Sequence, residues 1–417
     1  MGSRCAVARG SAGSVSVRCA IGITYRVRPV PDSREQSSAK AVFLRPRVAL
    51  AHDWLCGYRG GEGVLDAILR ALEPWAVVSA LYVMFDDRRP LTPAIDRVPH
   101  ATSWLNALPA AHRLRRWCLP LYPMGVRHLS KQLARDHPGE PIDLLVSTSS
   151  AAVKGITAPP GVPHVCYIHA PARYLWSRTG DYEQGSPLRA AGLRLLGPAL
   201  RRWDAASAKN VERFIANSTH TQAQVARCYG REACVVHPPV RTGFFTPDAA
   251  TKRDDAWLVV SALEPYKRVD AAIAAARAAG ARLRIAGAGS QRASLESLAG
   301  NGVELLGRVS DERLRDLYRS SRVLIFPQVE DFGIVAAEAL ACGLPVVARR
   351  DGGALDIVQE GVTGAFFDSP EPRAIIEAVG RCPRHADEAC RMAALRFADE
   401  RFIDGMNAIL REALPRA

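Results

Sequence analysis

Two glutamates eight positions apart, Glu330 and Glu338, lie within VLIFPQVEDFGIVAAEALACGLPVVARRDGGALDIVQEGVTGAFF, residues 323–367. The apolar run 323–326 reads as a buried strand, followed by Pro327 and a polar corner. Gly333 lets the backbone come close to a ligand, and Ile334 to Cys342 has helix-forming composition, so a helix N-terminus points above Gly333. Such an end carries about half a positive charge and free N–H groups, which suits a phosphate. Glu338 falls about one turn inside that helix and Glu330 on the loop before it. The pair fits a nucleotide sugar: one carboxylate for sugar hydroxyls, one for the ribose diol, and N–H groups around Asp331, Phe332, Gly333 and Ile334 for the diphosphate. Each charged hydrogen bond to a hydroxyl is worth about 1.5–3 kcal/mol. The plain alternative, two glutamates solvating a helix and its loop, is outweighed by the preceding strand, by Phe-Gly, and by ACGLPVVA after it.

A basic residue and an imidazole stand at comparable places. Lys267 precedes an alanine-rich helix after the strand 257–262, and a mobile ammonium beside a helix N-terminus is a good diphosphate ligand. His169 ends the strand 164–168, where open α/β sheets put their ligands; it can donate to a sugar hydroxyl or hold a backbone carbonyl. Arg173, Tyr174 and Trp176 follow on a loop, and arginine with aromatics suits an acceptor pocket. Near the start, the strand 47–52 leads into a tight loop at Gly60-Gly61 and a helix over 62–72, a geometry that lets backbone approach a phosphate. Further strands are expected over 144–147, 213–216, 233–237 and 283–287, and helices over 188–202, 368–380 and 387–414.

The Glu330–Glu338 segment resembles the carboxylate-pair signature of the retaining glycosyltransferases of family four. HDWLCGYRGGEGVLDAI, residues 52–68, is similar to the opening of members that transfer mannose in O-antigen and exopolysaccharide assembly. The resemblance implies an α/β chain of the GT-B fold, with two Rossmann-like domains facing across a cleft. Residues 46–240 would form the acceptor-binding domain, 241–256 the linker, 257–395 the nucleotide-sugar-binding domain, and 396–417 a last helix crossing back to the first domain. It also implies roles. Glu330, Lys267 and His169 are the catalytic candidates, with Lys267 neutralising the departing phosphate and His169 touching the donor sugar. Gly60, Gly61, Arg268, Glu338 and the main chain of Gly307 to Val309 join the donor side, and Asp53, Arg59, Arg173 and Tyr174 the acceptor side. GDP-mannose is the implied donor and a saccharide or lipid-linked saccharide the acceptor.

The chain departs from that family at Ala262, where many relatives carry an arginine five positions before the lysine. A methyl cannot replace a guanidinium fork, so Arg268, Arg59 or another cation must take its place, or the load falls on Lys267 and the helix end. No D-x-D triplet occurs in the chain, and enzymes that hold a diphosphate through a divalent ion need such clustered carboxylates. Metal-independent chemistry with no cofactor is therefore expected.

The 417 residues suit two domains of about 180. Apolar content of 48% and charged content of 23% are those of a globular protein, and no apolar run reaches the roughly 18 residues of a membrane span. Ten scattered cysteines form no CxxC, so reduced thiols in a cytoplasmic setting are expected. Of the net +13, residues 1–47 contribute nine Lys/Arg against Asp32 and Glu35, a balance of +7. Residues 1–45 therefore read as a disordered extension or a start codon placed too far upstream, and nucleic acid is not an expected partner of the rest. From 109 to 135 the chain is basic and amphipathic, a composition that lies on an anionic membrane surface and that fits peripheral contact with the inner face of the membrane. The competing readings are a UDP-sugar transferase, a nucleotide-sugar 2-epimerase of the same fold, and a non-catalytic membrane-binding module.

Overall fold

The structure is a computed structural model and describes residues 6–9, 15–18, 24–27, 45–136, 141–177, 179–180 and 187–415. Strands and helices alternate along most of that length, which is the pattern of parallel sheets. Among the described residues ten strands precede residue 240: β1 (Ala6–Arg9), β2 (Val15–Arg18), β3 (Thr24–Val27), β4 (Arg47–Leu55), β5 (Val77–Asp86), β6 (His100–Thr102), β7 (Leu144–Ser149), β8 (His164–Ile168), β9 (Arg213–Ala216) and β10 (Ala233–Val235). Six follow: β11 (Trp257–Val260), β12 (Leu283–Ala286), β13 (Val303–Gly307), β14 (Val323–Phe326), β15 (Val346–Arg349) and β16 (Gly364–Phe367).

Strands β4 to β10 form one sheet in the order β10-β9-β8-β7-β4-β5-β6, and β11 to β16 a second in the order β13-β12-β11-β14-β15-β16. All five pairs of the second sheet are parallel. Counted from its own first strand that order is 3-2-1-4-5-6, the doubly wound arrangement whose ligands bind where the winding direction reverses. The reversal lies between β11 and β14 in the second sheet and between β4 and β7 in the first. Continuous apolar runs such as Val48–Ala51 and Val323–Phe326 are buried along their length, as strands covered on both faces must be. Each fully buried Val, Leu, Ile or Phe stabilises by about 1.5–3 kcal/mol.

The chain divides into two compact units. One comprises residues 1–167, 199–213 and 406–417, the other 168–198 and 214–405. The end of the last helix, Asp399–Ala413, belongs to the first unit: Trp75 Nε1 donates to Asn407 Oδ1 at 2.7 Å, Arg411 lies over the Trp75 ring, and Arg213 pairs with Glu412 at 2.7 Å. Among the described residues no helix is long and apolar enough to cross a membrane.

Several boundaries differ from expectation. The first helix runs over Gly60–Leu72, so it starts two residues early. The second basic helix is longer, Pro187–Ser207. The stretch expected to be disordered contains the antiparallel sheet β1-β2-β3; the alternation in Val15–Arg18 and Thr24–Val27 is the period-two pattern that pairs strands, and the rest of 1–44 lies outside the described residues. Buried chemistry in the first unit is also legible only in three dimensions. Lys154, just after β7, pairs with Asp204 at 2.6 Å, both side chains at most 1% exposed, and also donates to Ser207 Oγ at 3.1 Å. Removing one partner would strand a buried charge, which costs about 3–5 kcal/mol, whereas replacing both with apolar residues costs far less. Asp204→Ala is accordingly expected to lower the denaturation midpoint sharply and Lys154→Met/Asp204→Leu only slightly, measured by chemical denaturation.

Candidate functional site

In the second unit the winding reversal places two loops side by side. The loop after β11 carries Lys267 and the loop after β14 carries Glu330, and their side chains form an ion pair. Gln328 Nε2 donates to the same Glu330 oxygen at 3.2 Å. Lys267 is 13% and Glu330 25% exposed, so both can reach a ligand while their charges are only partly screened. The Glu330 loop is fixed from below by a glycine pair after β15. The Gly353 N–H donates to the Glu330 carbonyl at 2.8 Å. A Cβ added at Gly352 would stand 2.4 Å from that carbonyl oxygen, and one at Gly353 would stand 2.3 Å from Phe332 Cα. Gly333, at φ +99°, then turns the chain into the helix Ile334–Ala341. An added Cβ there would meet the Phe326 ring at 2.9 Å, so conformation and space both require glycine.

Glu338 lies on that helix, 8% exposed, and accepts a hydrogen bond from the Tyr318 hydroxyl at 3.3 Å. Burial pushes its carboxyl up to about 7, with the Arg241 charge and the Tyr318 hydrogen bond pulling the other way. A carboxylate held near neutrality beside a helix start suits a diol, whose hydroxyls can offer the hydrogen bonds that solvent no longer supplies.

Other expected residues of this unit divide into those near the loop and those turned elsewhere. Asp331 forms an ion pair with Arg173, accepts from Gln224 Nε2 at 3.3 Å, and its carbonyl accepts from Ser218 Oγ. Arg173, expected on the acceptor side, thus touches the donor loop. His169 stands at the end of β8, half-buried, with its carbonyl held by Asn217 Nδ2 at 3.0 Å. Gly307 takes φ +71° and Val309 packs partly buried against the core. The Phe332 ring is buried, stacked on His237 at 5.6 Å and edge-on to Phe397 at 5.3 Å, which is compatible with an expectation that named its N–H group. Two expectations are corrected. Arg268 takes φ +51° and its guanidinium pairs with Asp270 at 3.2 Å, two residues on, so its charge is matched within its own turn. Tyr174 is buried and presents little surface to an acceptor.

In the first unit the expected loop is a helix start. Gly60 and Gly61 are its first two residues, and the Arg59 N–H donates to Glu62 Oε2 at 3.0 Å, which closes the first turn in place of a tight loop. Asp53 is corrected as an acceptor ligand. It is 2% exposed, and its carboxylate accepts the N–H groups of Ser150, Ala151, Ala152 and Val153 at 2.6–2.9 Å and the Ser149 hydroxyl at 3.1 Å. Five donors leave it nothing for a ligand, and its work is to fix the loop after β7.

Two family models tile most of the chain: Glycosyltransferase Family 4 over residues 58–244 and Glycosyl transferases group 1 over residues 245–391. The chain belongs to the family-four glycosyltransferases. A D-inositol 3-phosphate glycosyltransferase of Acidothermus cellulolyticus is 31% identical over 293 residues, 61% of this chain and 63% of that protein. The chain thus spans less than two thirds of the length of that curated relative. Sucrose-phosphate synthase from Thermosynechococcus elongatus superposes with a TM-score of 0.65 at 18% identity, covering 88% of this chain and 99% of the other. Anabaena HepE in complex with UDP-glucose gives 0.61 at 18%, covering 88% and 99%. The fold is α/β of the GT-B type, with two Rossmann-like domains.

Within this glycosyltransferase fold, four side chains around the Glu330–Glu338 segment escaped the sequence reading: Tyr318, Ser218, Gln224 and Gln328. Ser218, Gln224 and Tyr318 find their partners 113, 107 and 20 positions away, beyond any local periodicity, whereas Gln328 bonds Glu330 only two positions on. The Gly352-Gly353 pair did carry a signal, a double glycine directly after a strand. The raised Glu338 carboxyl has a consequence for pH. Between the ordinary carboxyl value of 4.5 and about 7 the folded state holds an extra proton, so this group costs stability as pH rises through that window, while the ionised form above it is the better diol acceptor. Nucleoside diphosphate affinity is expected to rise from pH 6 to 8 more steeply in the wild-type protein than in Glu338→Gln, measured by calorimetric titration; parallel profiles would refute the assignment.

Proposed function

We propose that the protein is a retaining glycosyltransferase that moves a hexose from a nucleotide sugar to a saccharide or lipid-linked saccharide acceptor in cell-surface polysaccharide synthesis. The observation that carries this is the Lys267–Glu330 pair at the winding reversal, beside the helix tip that bears Glu338. In the proposed complex the helix N-terminus and Lys267 take the diphosphate, Glu330 the sugar hydroxyls, Glu338 the ribose diol, the main chain at 307–309 the base, and His169 the sugar. The bond from C1 to the diphosphate oxygen breaks through an oxocarbenium-like state. The acceptor oxygen bonds to C1 on the same face, and its proton passes to the leaving phosphate. Preorganised positive charge on the leaving oxygens supplies most of the acceleration. With no D-x-D in the chain, Lys267 and the helix dipole carry that charge in a metal-independent reaction.

Mannose from GDP-mannose is the donor favoured by the resemblance of residues 52–68. A UDP-hexose is the second reading, favoured by the superposition on a protein crystallised with UDP-glucose. A peripheral position on the cytoplasmic face of the membrane is supported by residues 109–135, where Leu114, Trp117 and Met124 are exposed among basic residues. A thermal-shift series with GDP, UDP and ADP, then with their sugars, decides the donor, and acceptor-dependent product formation separates transfer from 2-epimerisation. Lys267→Ala and Glu338→Ala are each expected to cut donor turnover by about 10²–10³-fold. Glu360→Ala, whose carboxylate pairs with Arg350 at 2.9 Å, should not. Near-wild-type rates in the first two would remove the site from this loop.

A further inference from the structure

Three buried amide side chains of the second unit share one arrangement. Gln328, 1% exposed, donates from Nε2 to Glu330 Oε1 at 3.2 Å. Gln224 donates from Nε2 to Asp331 Oδ1 at 3.3 Å, and Asn217 from Nδ2 to the His169 carbonyl at 3.0 Å. Carboxylates and carbonyls only accept, so each partner fixes which end of the amide faces it. The opposite ends, Gln328 Oε1, Gln224 Oε1 and Asn217 Oδ1, are buried and meet no donor among the described residues. An acceptor buried in that way lowers the stability of the folded state. Native interiors hold few such atoms, and a functional site is where a chain departs from that rule. All three amides lie against groups of the proposed donor site.

Gln328 has the most direct consequence. It stands two positions before Glu330 on the loop after β14, and the Lys267 ammonium takes the same Glu330 oxygen. The last torsion of a glutamate is soft, so two donors on Oε1 set the rotation of the carboxylate. No donor among the described residues reaches Oε2, and that oxygen is left for a ligand hydroxyl. The two donors differ in kind. An ammonium is a point charge on a flexible stem, free to follow either oxygen or to turn to a phosphate, whereas a buried planar amide offers its N–H in one direction. Once a diphosphate draws Lys267 away, Gln328 is the group that still holds Glu330.

We propose that Gln328 is a positioning residue of the transfer reaction: it keeps Glu330 Oε1 in place when Lys267 turns to the diphosphate, so that Oε2 meets the sugar hydroxyls. The unpaired Gln328 carbonyl is the stability given up for that hold. The inference rests on the glycosyltransferase reading for the identity of the ligand.

The test compares the full-length wild-type protein with Gln328→Met, Glu330→Ala and the double variant. Methionine keeps the volume and removes both the donor and the unpaired carbonyl. Chemical denaturation, calorimetric titration with GDP and UDP, and release of GDP from GDP-mannose or UDP from UDP-glucose are read on the same samples. Gln328→Met is expected to denature at the wild-type midpoint or above it. It should bind the nucleoside diphosphate within about twofold of wild type, because Glu330 serves the sugar, and lower kcat for release at least about tenfold. In the Glu330→Ala background the same substitution should change kcat by less than about twofold, since it acts through that carboxylate. A lowered midpoint assigns Gln328 to the fold alone and overturns the proposal. A wild-type kcat overturns it too, as does weakened nucleoside diphosphate binding or a tenfold loss that persists without the Glu330 carboxylate. If the wild-type protein releases nucleotide from a sugar donor and Gln328→Met does so equally well, only this inference falls; if the wild-type protein releases neither, the glycosyltransferase reading falls and this inference with it.

Discussion

Backbone meeting backbone at Gly352-Gly353 is the constraint on which the second unit's site depends. The two glycines let the loop after β15 press against the main chain from Glu330 to Phe332, at distances that any Cβ would forbid. With that approach in place the Glu330 carbonyl is held by an amide and the Phe332 ring is driven into the core. Gly333 is then left to turn the chain within a van der Waals radius of Phe326. Glu330 pairs with Lys267 and accepts from Gln328. Side-chain chemistry at this loop thus follows from a close main-chain approach that only glycine permits.

Electrostatics follows from the same geometry. The ion pair between Lys267 and Glu330 is neither solvent-flooded nor sealed, so a ligand with its own phosphates and hydroxyls can exchange for it partner by partner. Glu338 is different. It shares a short helix with five buried neighbours, which removes water from the carboxylate and leaves Tyr318 as its hydrogen-bond donor. One helix thus combines a dipole at its tip with a desolvated acid one turn further on. These two demands require the helix to be apolar on nearly every side, as Ile334–Ala341 is.

Much of this was legible in the residues. The run 323–326, the Phe-Gly break and the alanine-rich stretch gave strand, turn and helix nearly to the residue, because burial on both faces imposes continuous apolar runs. Parallel strands alternating with helices announced the doubly wound sheets. What the residues did not disclose is where buried polar groups find their partners. Asp53 was named by the family resemblance alone, and the loop that takes its carboxylate comes from about 100 residues away. Gly60 and Gly61 read as a loop because glycine is a poor helix former; Glu62, three residues past Arg59, supplied the cap that starts the helix there. Arg268 is legible only through its neighbour Asp270, two positions on.

Asp53 has one more implication. It occupies the place between β4 and β7 where the first sheet reverses its winding, and it is wrapped there by four successive amides and a hydroxyl. Such a cup of amides is what nucleotide-binding proteins offer to phosphate oxygens. The chain has filled it with an anion of its own, a permanent plug of the right charge and size. The two Rossmann-like halves therefore differ chemically at their winding reversals: the first holds a buried aspartate wrapped in main-chain amides, the second a partly exposed ion pair of Lys267 and Glu330.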